Sequence, residues 1–575
     1  MKKLLALFLA VIMAAALLPM AAFAKTGSIT TWKALQDAIT GAGTTETTIQ
    51  LTCDITALET DSSLIVGENQ KIILDLNGFV LNRGMFDSDG EDISYLYSGN
   101  DCSILVKGEL TIKDSNPTKV HKFNVYENEV GSGSGRWYLN EASGTEEVAG
   151  GVITGSSRDA VHIDDGKLTL EGGNIVGNDG NHGTGVYAKH GTVVMNGGSI
   201  CGNVSTDGGG VYIEDNSNFI MNNGEICNND GAAGGGVFVF CSTFTMNNGK
   251  ITKNGFYTCT EGGGVYVIDD EPKSSHFEMN GGEISGNFSD NGVGVNLTGP
   301  CTSFKMHGGK IVNNGGLETD AVGGVYVFDG SFLMDGGLIS GNKGNYAGGV
   351  FAGSCSSFIL GGKAQVKGNT IDEEPLSNVY LQGTEIELGN GTNGAVAPQD
   401  GFTAGITTKK APASGTPVVF SSNGSASDTK YFFSDSEDYY VGFDTKLQLV
   451  KPEANQYLVI IPSSDNGVVY TDKWVAAKSE KVTLSYFADD GYAFKNWEAV
   501  SGIKVDAIAD NSFTMPADKV KVTAKFEKVA EKPEDKKSPQ TGDTSNISLW
   551  VMLFALSSMG LCACLVLGKK RKNEQ

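Results

Sequence analysis

Four residues after a recurring valine, the chain carries Asp165, His190, Asp215, Asp269 and Asp329, and Asp164, Lys189 and Glu214 stand just before the first three. Two carboxylates brought side by side can act as acid and base, or as acid and nucleophile, at a glycosidic bond. Asp165, His190 and Asp215 are therefore the catalytic candidates, provided the fold stacks their segments. Two facts weigh against them. Aspartate at a strand end is ordinary turn chemistry, and stacked Asp, Lys and Glu neutralise one another. The same valines start a second candidate, the pattern valine-aromatic-aliphatic. Its middle residues are Tyr187, Tyr212, Phe238, Tyr266, Tyr326 and Phe351, with Asn296 and His162 as exceptions. Aliphatic flanks belong in a core, so the middle ring points outward, where it could stack on a sugar ring or a protein partner. The preferred alternative is that these rings stack on one another or lie beneath longer loops such as Thr258 to Ser275, because aromatic ladders stabilise adjacent strands with no ligand.

Both columns need an element that repeats. An apolar residue, a Gly/Asn-Gly pair, an isoleucine and then an asparagine recur from Leu170 (LEGGNIVGN) through Met195, Met221, Met246, Met279, Met306 and Met334 to a looser copy at Leu360. The copies lie about 25 to 33 residues apart, a period that signals stacked repeats. Between the valine motif and the glycine pair sits F-x-M, as in Phe219/Met221, Phe244/Met246, Phe277/Met279, Phe304/Met306 and Phe332/Met334. Alternation with period 2 makes both stretches short strands, with the Phe and Met on one face. Several strands and no helix per repeat predict a parallel β-helix, with about 4.8 Å between coils. The asparagines Asn178, Asn203, Asn229, Asn254, Asn287, Asn314, Asn342 and Asn369 then form a column that reads as structural, since stacked amides hydrogen-bond from coil to coil. Trp32, Leu35 and Ile39 have helical spacing and suit a cap over the first coil.

The formal net charge of −24 argues against a nucleic-acid partner. Acidic, glycine-rich loops such as Asn178 to Gly183 lack a calcium-loop spacing, the 10 cysteines suggest neither a disulfide framework nor a zinc site, and no metal or cofactor is expected. Residues 1–24 read as a signal peptide: Lys2 and Lys3, an apolar stretch, and Ala22-Phe23-Ala24 before Lys25. At the other end a linker and SPQTGD occupy 531–546, an apolar span 547–568 is long enough for a transmembrane helix, and a basic tail fills 569–575.

SPQTGD, the span and the basic tail resemble the sorting signal of sortase-anchored Gram-positive surface proteins. Pro539, Thr541 and Gly542 match its Leu-Pro-any-Thr-Gly form, and Ser538 stands in place of the leucine. The resemblance implies cleavage between Thr541 and Gly542 and covalent transfer to peptidoglycan. The repeats resemble the right-handed parallel β-helix of pectin-lyase-like proteins, most closely the adhesin-like surface proteins of Gram-positive anaerobes. That resemblance assigns 25–450 to an all-β solenoid with an N-terminal helical cap. Polysaccharide lyases and hydrolases of this fold use a side face, but they also bind uronates with Arg or Lys, and the ectodomain's Arg83, Arg136 and Arg158 stand outside the acidic column. Residues 451–530, with GYAFKNW and FTMPA, are similar to the internalin B-repeat type, which implies a stalk or spacer module. The expected function is a cell-wall-anchored adhesin or glycan-binding rod, extracellular and not an enzyme. The alternatives are a wall-attached polysaccharide lyase or glycoside hydrolase and a purely structural surface component. The expected partners are sortase, peptidoglycan, and a glycan or host-surface ligand.

Overall fold

The computed structural model describes residues 22–23 and 29–529, apart from 88, 97–101, 127–134, 256–258, 316–320 and 373–374. The residues read as a signal peptide, other than Ala22–Phe23, the expected sorting residues Pro539, Thr541 and Gly542, the apolar span and the basic tail lie outside the described residues. Among the described residues no helix is long and apolar enough to cross a membrane.

The chain is an all-β parallel solenoid followed by a small β module. One coil illustrates the rest: Val211–Glu214, Asn218–Met221 and Glu225–Cys227 are its three strands. Each pairs in parallel with the same strand of the coils before and after, so valine meets valine, phenylalanine meets phenylalanine and isoleucine meets isoleucine. The middle strands form a 13-stranded sheet. Its Phe219, Phe244, Phe277, Phe304, Phe332 and Phe358 are fully buried or nearly so, with successive ring centroids 4.6 to 5.5 Å apart. Period-2 alternation explains this: Phe and Met turn inward and the residue between them varies freely.

The asparagine column is a continuous amide ladder. Each Nδ2 donates to the next Oδ1 at 2.8 to 3.0 Å from Asn178 to Asn369. Asn369 donates on to Asn378, and Asn378 donates to the buried carboxylate of Asp435 at 2.5 Å. Every amide therefore points the same way, and an acceptor-only group ends the row. The helix Trp32–Gly41 buries Trp32, Leu35 and Ile39 and is N-capped by Thr31, as the cap expectation requires.

Two features depart from the sequence reading. Val120–Val125, Trp137–Leu139 and Glu146–Ala149 form an antiparallel sheet outside the coils, and the Trp137 ring seats on Gly202. The module does not stand apart as a spacer. Lys367 of the solenoid, buried so that its ammonium is pushed below the ordinary lysine value, donates to the carbonyls of Ser464 and Gly467 at 3.0 and 2.9 Å. Tyr470 accepts from the Gly401 amide at 2.7 Å, and Trp474 donates to the Thr429 carbonyl at 2.9 Å. Solenoid and module form one compact unit through Glu527. The module thereby packs on the last coils, with Val468, Tyr470 and Trp474 joining the solenoid core.

Candidate functional site

In three successive coils the first strand ends in a left-handed turn, and this sets the acidic column there. Asp165, His190 and Asp215 have φ of 58°, 50° and 52°. Asp tolerates this region, so the residue type answers a backbone need. The stacking does bring the candidates together: His190 Nδ1 lies 3.9 Å from Asp165. Asp215, however, is clamped by Lys273 at 2.8 Å and Lys189 at 3.2 Å, and Lys189 also reaches Glu214 at 3.2 Å. Hydrogen bonds from Lys273 and Lys189 hold the Asp215 carboxyl below the usual range. A general acid needs the opposite shift. Among the described residues no group of three or more His, Cys, Asp or Glu is placed to hold a metal ion.

The aromatic column divides into two groups. Tyr187, Tyr212, Phe238 and Tyr266 point away from the coil core, with centroid distances of 5.6, 4.7 and 5.1 Å. They do not face solvent as an exposed binding face requires. Tyr212, Phe238 and Tyr266 are only 7 to 8 % exposed. The cause is a fourth, short parallel ladder of Asp179–His182, Val204–Asp207 and Asp230–Ala233, whose turn glycines sit on the rings; a Cβ on Gly208 would lie 2.8 Å from that of Tyr212. Glu214 accepts from the Tyr187 hydroxyl at 2.5 Å and from Tyr212 at 3.4 Å. Burial and this carboxylate hold both phenols well above the usual range.

Asn296 interrupts the stack, bound to Glu261. Beyond it Tyr326 stacks on Phe351 at 5.1 Å, and Phe351 on Tyr380 at 5.9 Å. Phe351 is buried, so the expectation that it faces outward into solvent is not met for it either. Tyr326 is half-buried. Three partners were missed in the sequence: Phe328, Tyr346 and Tyr380. The signal was present for Phe328, which lies two residues after Tyr326 and so on the same face. Its ring is nearly parallel to that of Tyr326, at 3°, and is 41 % exposed.

Cys201 and Cys227 form a disulfide, although the cysteine spacing suggested no disulfide framework. They occupy one register position on adjacent third strands, which puts their Cα atoms 4.7 Å apart. Spacing between repeats carries this signal, whereas spacing within a motif does not.

Residues 457–530 match the family model for the divergent InlB B-repeat domain. No curated protein and no solved structure matches the chain.

Proposed function

We propose that this chain is an exported, wall-anchored rod that works as an adhesin, holding a glycan or another surface partner against the side of a right-handed solenoid. The observation that carries the reading is how the polar side chains are spent. The asparagine ladder is internally saturated, and Asp215 in the acidic column is tied up by two lysines. What is left to the solenoid is surface. The docked B-repeat module supports a display role, since a rod with a module packed on its last coils presents its sides. The order of SPQTGD, apolar span and basic tail supports sortase anchoring at Thr541 and makes peptidoglycan the covalent partner. Right-handedness rests on the resemblance to pectin-lyase-like proteins.

Cell fractionation tests the anchor. Thr541→Ala should move the protein from the wall to the membrane fraction in a sortase-bearing host, and unchanged wall attachment refutes it. A glycan and mucin array tests the adhesive role on residues 25–530. Release of reducing ends or unsaturated products from a polysaccharide, lost in Asp165→Ala with Asp215→Ala, would replace it with the enzyme reading.

A further inference from the structure

Phe328 is a large exposed ring that the coil does not need. Its register neighbours explain why it can lie flat on the side of the rod. Val327, Ala352 and Leu381 pair in adjacent coils, so Phe328, Gly353 and Gln382 follow one another at the same corner. A Cβ on Gly353 would meet the Phe328 ring at 3.3 Å and the Phe351 ring at 3.1 Å. The glycine is the seat on which Phe328 rests. Immediately after Gly353 the surface sinks into a hollow of about 480 Å³ lined by Ser354, Ser356, Thr384, Glu385 and Glu387 among others. Thr384 donates to the Gly353 carbonyl, and Gln382 accepts from Tyr346 at 2.6 Å, so hollow and aromatic cluster are joined by hydrogen bonds.

We propose that this corner binds a neutral pyranose unit of a glycan, with the sugar's C–H face on Phe328 and its hydroxyls in the hollow. The inference rests on the adhesive reading and names its ligand class. A pyranose is amphipathic in the manner of this site, with one apolar face beside a rim of hydroxyls. The charge balance selects among sugars. The hollow's lining holds two glutamates and no lysine or arginine, on a chain of net charge −24, so uronate and sulfated sugars are repelled. Glu385 and Glu387 already accept from Ser422 and Asn393, which orients them while leaving lone pairs for sugar hydroxyls. The upper stack lacks this arrangement, because its rings are covered.

The test is calorimetric titration of residues 25–530 with neutral hexasaccharides of glucose, mannose, galactose and xylose, and with oligogalacturonate as the anionic probe. Binding of at least one neutral probe and none of oligogalacturonate is expected. Phe328→Ala should weaken it about tenfold, the equivalent of one aromatic stacking contact of about 1.4 kcal/mol. Phe328→Tyr should retain it, and Phe240→Ala, the same strand position three coils earlier, should leave it unchanged. Unchanged affinity in Phe328→Ala, equal loss in Phe240→Ala, or preference for oligogalacturonate overturns the site. Absence of neutral binding alongside retained capture of mucin or whole cells overturns the site but leaves the adhesive reading. Absence of all capture removes both.

Discussion

The two aromatic groups come from one motif in one register and both bury central rings, yet only the lower group carries a neighbouring ring, Phe328, that is exposed. Tyr187 to Tyr266 lie under a fourth ladder, with the Tyr187 and Tyr212 hydroxyls on Glu214, while Phe328 beside Tyr326 is exposed. The strand pattern decides that the middle residue points away from the coil core. The connection between third and first strands covers it. In the upper coils that connection pairs as Val204–Asp207 and Asp230–Ala233 and folds back over the rings. Register is thus a property of the repeat, and exposure is a property of the loop between repeats.

The comparison is broken most directly at Tyr212. If it is a structural ring, Tyr212→Ala should cost about 3–5 kcal/mol of unfolding free energy, as expected for a buried aromatic. Denaturant unfolding checks this, and a loss below about 1 kcal/mol would return the upper stack to the list of binding surfaces. The Cys201–Cys227 bond adds a second difference, since it clamps the upper coils alone. It closes a 26-residue separation, so reduction or Cys227→Ser should cost about 3 kcal/mol by loop-closure entropy. Hydrogen exchange should then rise around Val204–Asp207 and stay unchanged around Val350–Ala352. Uniform loosening would mean the two regions unfold as one unit.

The lower region has its own signature in Asp435. Burial raises its carboxyl to about 6, against donors from Asn378 and Thr407. An ordinary aspartate in the unfolded chain titrates near 3.9. The folded state therefore keeps a proton that the unfolded state has lost between those values, and this contribution to stability falls as pH rises from about 4 to about 6. The span is on the order of 2–3 kcal/mol, read as the pH-dependent difference between wild type and Asp435→Asn. The same substitution turns one acceptor into a donor facing Asn378, so it lowers stability at every pH. A pH-independent difference between the two proteins would remove the titration from Asp435.

Much of the frame was legible in the residues. Period-2 alternation gave the inward Phe and Met, and the fixed offset from each Ile gave the amide ladder, because both are local patterns repeated in register. The helical cap followed from Trp32, Leu35 and Ile39 in the same way. The fourth ladder was not legible. Asp179–His182 and Val204–Asp207 have no apolar alternation, and they are strands only because neighbouring coils supply hydrogen-bond partners. Burial of Tyr212 depends on that ladder and was hidden with it. The docking of the module was hidden for a related reason: Lys367 and Tyr470 look like surface residues until carbonyls 97 and 100 residues away, and an amide 69 residues away, meet them. The acidic column was found, but its chemistry turns on Lys273, which reaches Asp215 across 58 residues.

The smallest expected effect separates the two regions most sharply. Phe328→Ala should change unfolding free energy by less than about 0.5 kcal/mol, because an exposed ring on a glycine seat contributes little packing. The binding loss argued for that substitution must therefore arise without a folding defect. Combining it with Tyr212→Ala extends the test. The two rings are four coils apart with Asn296 between them, so their stability effects should add to within about 0.5 kcal/mol. Non-additivity would mean that the aromatic column transmits strain through the break at Asn296, and the upper and lower groups would then be one element. Additivity, with binding lost only in variants that lack Phe328, leaves the upper stack as part of the fold and the lower corner as the surface available to a ligand.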